Sequence, residues 1–419
     1  MTIFLFGPSV IRQVPTPTAD PIARTTSGPR PFPDYQTPWE ANMLCRRSGA
    51  LMQHFDTTSV DLSIALGGGT TRISRAQMES QGTAINRMIN AGTRFLIHPG
   101  VYRQDNGQMP NTPAQLISTV KKYGPSNFVG VASVNEPNAP VKIVNATTYW
   151  QWLRDYQEDL WNAFKNDPVV RDVPILTPSI RVVDISLFRN LGNIDQWVDG
   201  HESHTYPFDA HPPEKPAIFD SVIESFRVAS SQKPVHYGEF GYHTDQAEWS
   251  VDAIVYKDRF MPRMYLYFFD HGFSSLVNYR HTSTLSGTTW NSSDSEEAYG
   301  WVKATGQVQA SYTSCKNLFT LLADPGVRHT TTPLAYTISG QTTNVQHVLM
   351  QKRNGVYYLA VWVGTYQNEN RNVVINLPSS ITTARKARPN TNTSWANQTI
   401  SGNSISFSAD GYVTLFEVQ

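Results

Sequence analysis

Two short acidic motifs carry residues of the right type for bond cleavage: Asn135-Glu136-Pro137 and Gly238-Glu239-Phe240-Gly241. Each directly follows an apolar run with the composition of a buried strand, 127–134 for the first and 234–237 for the second. A carboxylate at the end of such a run is costly to bury unless it is used. Two of them at the carboxyl ends of parallel strands are the pair needed to cleave a glycosidic bond with retention. One holds a proton for the leaving oxygen, while the other stays ionised to attack the anomeric carbon. Other chemistries find less support. His201-Glu202-Ser203-His204 is not the His-Glu-x-x-His zinc helix, because it has one residue too few and lies in a strand-like run. No Gly-x-Ser-x-Gly elbow is present, and Gly67-Gly68-Gly69 lacks the Lys-Ser/Thr of a phosphate loop, so it reads as a flexible turn.

The elements that must position these residues follow from the periodicity. Up to about residue 324, short β-rich runs at 3–10, 61–66, 94–99, 128–135, 174–178, 201–206, 235–240 and 274–279 alternate with segments of helical spacing. Those segments are 38–54, 75–91, 112–123, 147–164, 185–198, 218–230, 251–271 and 297–322. Eight βα units predict an α/β fold, a (β/α)8 TIM barrel over 1–324, with a doubly wound open sheet as the alternative. The proline-rich segment 12–38 is expected as a long loop or a lid over the barrel mouth. Beyond 325 helical spacing disappears, and short strands at 337–339, 345–351, 356–363, 371–375, 400, 404–407 and 412–418 predict a β-sandwich domain over 325–419.

Composition narrows the partners. The 419 residues hold 34 basic and 34 acidic side chains, so no global field draws the chain to nucleic acid or an anionic membrane. No stretch reaches the roughly 20 apolar residues of a bilayer span. Cys45 and Cys315 lie outside any metal-ligand spacing and are expected to pack as small apolar side chains or to form one disulfide. No metal or cofactor is implied. The opening residues 1–7 are apolar without a basic flank and read as a strand rather than a signal peptide. A polysaccharide substrate would nonetheless favour a secreted, extracellular protein whose leader has been removed.

The ordered set of Asn135-Glu136-Pro137 on a fourth strand, His204-Thr205-Tyr206 on a sixth and Gly238-Glu239-Phe240-Gly241 on a seventh resembles the clan A glycoside hydrolases, among them family thirty-nine. These are retaining (β/α)8 enzymes, and several carry a β-sandwich beside the barrel. The resemblance spans nearly the whole chain and implies Glu136 as general acid/base and Glu239 as nucleophile. It further implies Asn135 as donor to the sugar 2-hydroxyl, with His204 and Tyr206 beside Glu239, and Arg72, just past the expected second strand, as a possible partner of the nucleophile.

Other residues follow from their places at strand ends. His98 ends the third strand and faces the mouth, with Tyr102 beyond it; both have a structural reading as well. On the eighth strand Asn278-Tyr279-Arg280 departs from the tryptophan platform of many relatives, so Tyr279 or Trp290 would have to stack on the sugar. Arg280 would favour an anionic sugar if it points inward, and is a solvated surface residue otherwise. Trp395 is the clear loop aromatic of the second domain, which packs as a structural partner or binds carbohydrate. The reading is a metal-free retaining glycosidase acting on an oligo- or polysaccharide. Transglycosylation by the same residues and non-catalytic sugar binding are the alternatives; oligomeric state is open.

Overall fold

The computed structural model describes residues 37–104, 106–137, 145–181, 189–204, 206, 212–214, 233–242, 253–283, 298–303 and 305–419. The strand expected at 3–10, the segment 12–36 and the helix expected at 218–230 lie outside them.

Two parallel ladders dominate the first part of the chain. In one, β2 (Ser48–Ala50), β9 (Ser275–Asn278), β8 (Val235–Phe240), β7 (His201–His204) and β6 (Ile180–Arg181) lie side by side in that order. In the other, β3 (Thr70–Ser74), β4 (Arg94–His98) and β5 (Phe128–Val131) are neighbours. Single parallel bridges link the ladders beyond β5, Val131 to Ile175 and Asn135 to Ser179. On the opposite side β2 lies so close to β3 that a Cβ on Gly49 would meet the Thr70 carbonyl oxygen at 1.6 Å. Thr71 Oγ1 donates across that seam to the Ala50 carbonyl at 2.6 Å.

Helices alternate with these strands, which makes the architecture α/β. They include α1 (Ala41–Arg47), α2 (Thr57–Ala65), α3 (Arg75–Ser80), α4 (Gly82–Asn90), α5 (Pro113–Tyr123), α6 (Ala146–Lys165), α7 (Ala253–Asp270) and α8 (Ala310–Leu322). Local chemistry starts several of them. Capping boxes join Ser74 to Gln77 and Thr112 to Gln115, with proline at the first position of α5. The outward faces of β3 to β5 bury Ile73, Phe95, Ile97 and Val131 against Met78, Leu116, Leu153 and Phe164. Trp150 is buried, and Trp152 and Trp161 pack partly buried on this core.

Several expected elements are corrected. Leu62, Ile64 and Leu66 alternate as in a strand, yet 57–65 is helical: Asp56 accepts from the Ser59 amide at 2.9 Å, and the buried positions 59, 60 and 63 follow helical spacing. The single helix expected at 38–54 breaks after Arg47 into β2. The next strand is therefore 70–74, and the three glycines precede it rather than follow one. They are packing positions, since a Cβ on Gly68 would meet the Ser48 carbonyl oxygen at 2.6 Å and one on Gly69 the Arg46 Cα at 2.8 Å. The helix expected at 75–91 is divided at Gln81. Of 185–198, the described part is helical only at 189–191, with a 3-10 turn at Asp195–Trp197. The helix expected from 297 begins at Ala310, because β11 (Val302–Lys303) pairs with β10 (Thr282–Ser283).

The last hundred residues form two antiparallel arrays. One orders β13 (Val345–Gln351), β14 (Tyr357–Val363), β19 (Thr414–Val418), β16 (Ala384–Ala387) and β17 (Ala396–Asn397); the other orders β12 (Thr337–Gly340), β15 (Arg371–Asn376) and β18 (Ser404–Ala409). Side chains from both, such as Leu359, Phe416, Ile375 and Ile405, share one core. An early segment joins the first array: β1 (Trp39–Glu40) runs parallel to β13, and Trp39 Nε1 donates to Asp270 at 3.0 Å. Trp39, Phe269, Val348 and Trp362 fall in one continuous core, so residues on both sides of position 324 are packed together. Both cysteines are buried free thiols; burial pushes Cys45 up to about 12.

Candidate active site

β3 places a guanidinium where most buried strands carry an aliphatic group. Arg72 is 1% exposed and stable there because every arm has an acceptor: Nε meets Glu202 Oε1, Nη1 meets Glu239 Oε1 and Nη2 meets Asn135 Oδ1, each at 2.6 Å. It lies within its strand, not beyond the strand end. Glu202 and His204 are two residues apart on β7 and so share a face. The His204 ring reaches Glu136 Oε1 at 2.9 Å through Nδ1 and Glu202 Oε1 at 3.4 Å through Nε2, and Nδ1 is also 3.4 Å from Glu239 Oε2. Tyr206 donates its hydroxyl to Glu239 Oε2 at 2.8 Å.

The backbone sets the two motif glutamates. Glu136 has φ of 40°, the left-handed region that a non-glycine residue enters only at a cost, and its amide donates to the Ser179 carbonyl at 2.9 Å. Both glycines around Glu239 are required by neighbours. A Cβ on Gly238 would meet Glu202 Oε1 at 2.0 Å, and one on Gly241 the Tyr279 carbonyl oxygen at 2.4 Å. The Gly-Glu-Phe-Gly spacing thus lets β7 and the end of β9 close on either side of a buried carboxylate.

These groups open onto a cavity of about 330 Å³ lined by Arg72, His98, Asn135, Glu136, Tyr206, Glu239 and Tyr279, together with Leu51, Gln53, Ile73, Ser74, Gln77 and Tyr299. Tyr206, Tyr279 and Tyr299 contact one another at centroid distances of 5.2 to 6.0 Å. The six last-named lining residues escaped the sequence reading, as did Glu202. For Glu202 a signal existed, an acidic residue inside an otherwise buried strand and in phase with His204. Tyr299 offered none. Arg280 is buried without lining the cavity; its Nη1 donates to Gln53, which also donates to the Tyr279 hydroxyl at 3.3 Å. It is therefore neither an open anion site nor a solvated surface group. Tyr102 stacks on Trp152 at 3.9 Å and Tyr149 at 5.1 Å. Trp395 is half-buried beside Tyr358 and Arg385, not displayed as a platform. Trp290 lies outside the described residues.

Burial and charge compete throughout the cluster. Burial opposes charge on the His204 ring, but the negative charge of Glu239 and the hydrogen bonds to Glu136 and Glu202 outweigh it, lifting the pKa to about 9. For Glu202, burial is overcome by the charges of Arg72 and His204, and the carboxyl is held below its ordinary value. Burial raises Glu239 against the pull of His204 and Arg72, and the charge of Glu136 adds to the rise. Burial and the nearby cations Arg72 and His204 push His98 well below its usual value; its Nδ1 accepts from the Gly100 amide at 3.3 Å. Tyr206 is raised by burial and Glu239, so it remains a donor. Glu136, His204 and Glu239 present ligand-type atoms within 4.8 Å of one another. Glu239 in this set already gives one oxygen to the Arg72 guanidinium and the other to the Tyr206 hydroxyl.

No protein-family model and no curated protein matches the sequence. Solved structures do match the fold. A family 39 glycoside hydrolase from the gut symbiont Bacteroides cellulosilyticus WH2 aligns at TM-score 0.64 with 13% identity, covering 91% of this chain and 82% of its own. A monomeric β-xylosidase from Caulobacter crescentus CB15 aligns at 0.58 and 12%, covering 91% and 97%. A family 51 α-L-arabinofuranosidase from Bifidobacterium longum aligns at 0.54 and 10%, covering 96% and 97%. At such identities the likeness is one of fold: this chain shares its fold with these three enzymes.

Proposed function

We propose that the protein is a retaining glycoside hydrolase with Glu239 as nucleophile and Glu136 as general acid/base. The observation that carries this reading is the approach of the Glu136 and Glu239 carboxylates, with atoms within 4.8 Å, at the wall of one cavity. An oxygen of each within 4.8 Å is in keeping with the roughly 5–5.5 Å between the carboxyl groups of a retaining pair rather than the wider spacing of an inverting one. In this reading the two ladders make up a (β/α)8 barrel whose first strand is Ser48–Ala50, and the C-terminal arrays a β-sandwich beside it. Residues 1–324 and 325–419 are the two domains, with β1 lent to the second.

Charge balance leaves one proton for the Glu136–Glu239 pair, and in this reading Glu136 holds it while Arg72, His204 and Tyr206 keep Glu239 ionised against its burial. With Arg72 and His204 cationic, Glu202 and Glu239 as carboxylates bring the cluster to neutrality when Glu136 carries one proton. An imidazolium at His204 donates through Nδ1 to Glu136 Oε1, and in this reading the proton for the departing oxygen is held on Oε2. Arg72 and Tyr206 bind one oxygen each of Glu239 and aim the carboxylate. Glycosylation of Glu239 removes its charge, which makes ionised Glu136 less costly and ready to take a proton from water. Asn135 spends Oδ1 on Arg72, so its amide hydrogens are free to face a sugar hydroxyl.

The folds of a β-xylosidase and an arabinofuranosidase make pentosides the first substrates to try, and a polysaccharide source implies secretion. Glu239→Ala should abolish turnover of an activated aryl glycoside that the wild type cleaves, while added azide restores release of the aryl group and yields the glycosyl azide of inverted configuration. Undiminished turnover by Glu239→Ala would remove Glu239 from the mechanism.

A further inference from the structure

The site contains a third acid that the double-displacement scheme does not use. Glu202 is fully buried and lies behind the cavity wall, where it cannot reach a sugar. Its Oε1 is shared between Arg72 Nε at 2.6 Å and His204 Nε2 at 3.4 Å, while Oε2 has no hydrogen-bond partner among the described residues. The space it fills is cut for it, since only a glycine at 238 clears Oε1. Its amide donates to Thr177 Oγ1 at 3.0 Å, which fixes the strand beneath. Every group it holds touches the reacting pair: Arg72 binds Glu239, and His204 binds Glu136 and lies 3.4 Å from Glu239.

Resting on the function proposed above, we propose that Glu202 is a positioning residue, a buried anion that ties Arg72 and His204 together and thereby sets the place and the proton affinity of the Glu136–Glu239 pair. A purely structural ion pair would stop at Arg72. The contact to His204 makes the difference, because that ring is faced by Glu136, Glu202 and Glu239, by Arg72, and at longer range by His98. Removing one negative charge from this group makes every remaining acid easier to deprotonate.

The test is Glu202→Gln, nearly identical in shape and uncharged, on an aryl glycoside that the wild type turns over. The expected result is kcat lowered roughly ten- to hundredfold, as misplacement by a fraction of an ångström produces, with KM within about threefold and the alkaline limb of the kcat/KM profile moved to lower pH. Glu202→Asp, which keeps the charge but retracts it, should restore the alkaline limb while kcat stays reduced. A Gln variant with wild-type kcat and an unmoved profile would overturn the proposal even if its melting temperature fell. If the Gln variant does not fold, the Asp variant decides: wild-type kcat there overturns it as well. Wild-type protein inactive on every glycoside tried would instead count against the proposed function.

Discussion

Among the described residues, the buried carboxylate–guanidinium clusters around Arg72 and around Arg263 are built differently. At the cavity, Arg72 and His204 face three carboxylates, Glu136, Glu202 and Glu239, and one side of the cluster is open. Where α7 meets the C-terminal array, Arg263 faces one carboxylate. Its Nε donates to Glu214 at 2.9 Å with Nη2 on the second oxygen, Trp362 Nε1 adds a third hydrogen bond at 2.6 Å, and Nη1 turns to the Thr365 and Gly411 carbonyls. In the second cluster Arg263 and Glu214 are matched one to one and fully hydrogen-bonded, with a further buried cation, Arg259, turned to the Tyr366 carbonyl, so no acid is in excess. The first carries an excess of acid that must be shared with a proton, which is how a buried cluster serves proton transfer. Burial of charge is common to both; the excess of acid beside an open cavity is what sets the first apart.

The contrast can be broken from either side. The largest effect is expected at the open cluster. Glu136→Ala should slow cleavage of a poor alkyl leaving group by about 10²–10⁴ and spare an activated aryl group far more. Equal losses on the two substrates, measured as kcat/KM, would deny Glu136 the acid role. At the closed cluster, Arg263→Met leaves Glu214 buried without its cation and should cost about 3–5 kcal/mol of folding stability in a denaturant titration. Turnover per folded molecule should hardly change. A loss of turnover without a loss of stability would erase the distinction.

The smallest effect is in pH. His204 keeps its proton in the folded chain up to about 9 and releases it near 6.5 when unfolded, so its stabilisation is complete below about 6.5 and disappears as the pH rises through 9. The wild type should therefore lose up to about 3 kcal/mol across that window, and His204→Gln should lose much less. A denaturation midpoint that declines equally in both would show that His204 is not the group titrating.

Much of the architecture was legible because it rests on local patterns. β4, α5, α6, β8, β13 and β14 have long periodic apolar runs or caps, and their positions agree with the sequence to within a few residues. β2 and β3 were missed for opposite reasons. Ser48-Gly49-Ala50 has no apolar signal at all, and its conformation comes from a glycine against the Thr70 carbonyl. Thr70–Ser74 has a buried arginine in the middle, which breaks the strand pattern because its partners lie 63 to 167 residues away along the chain.

The site divides in the same way. Asn135, Glu136 and Glu239 could be named because each sits at or just beyond the end of a strand whose apolar run is visible in the chain, whereas His204 and Tyr206, on the polar run His201–Tyr206, were named only by the resemblance of their motif. The sequence alone also determined that the protein carries balanced charge and alternates strand with helix before turning to strands. Tertiary structure decided the rest: that Arg72 is gripped by two strands at once, that Glu202 stands behind the acids, that Arg280 turns away to Gln53, and that Tyr299 completes the wall. The physical reason is range. Hydrophobic periodicity and caps act over a few residues, whereas the proton affinity of a buried carboxyl depends on every charge within several ångströms, whichever part of the chain supplies it.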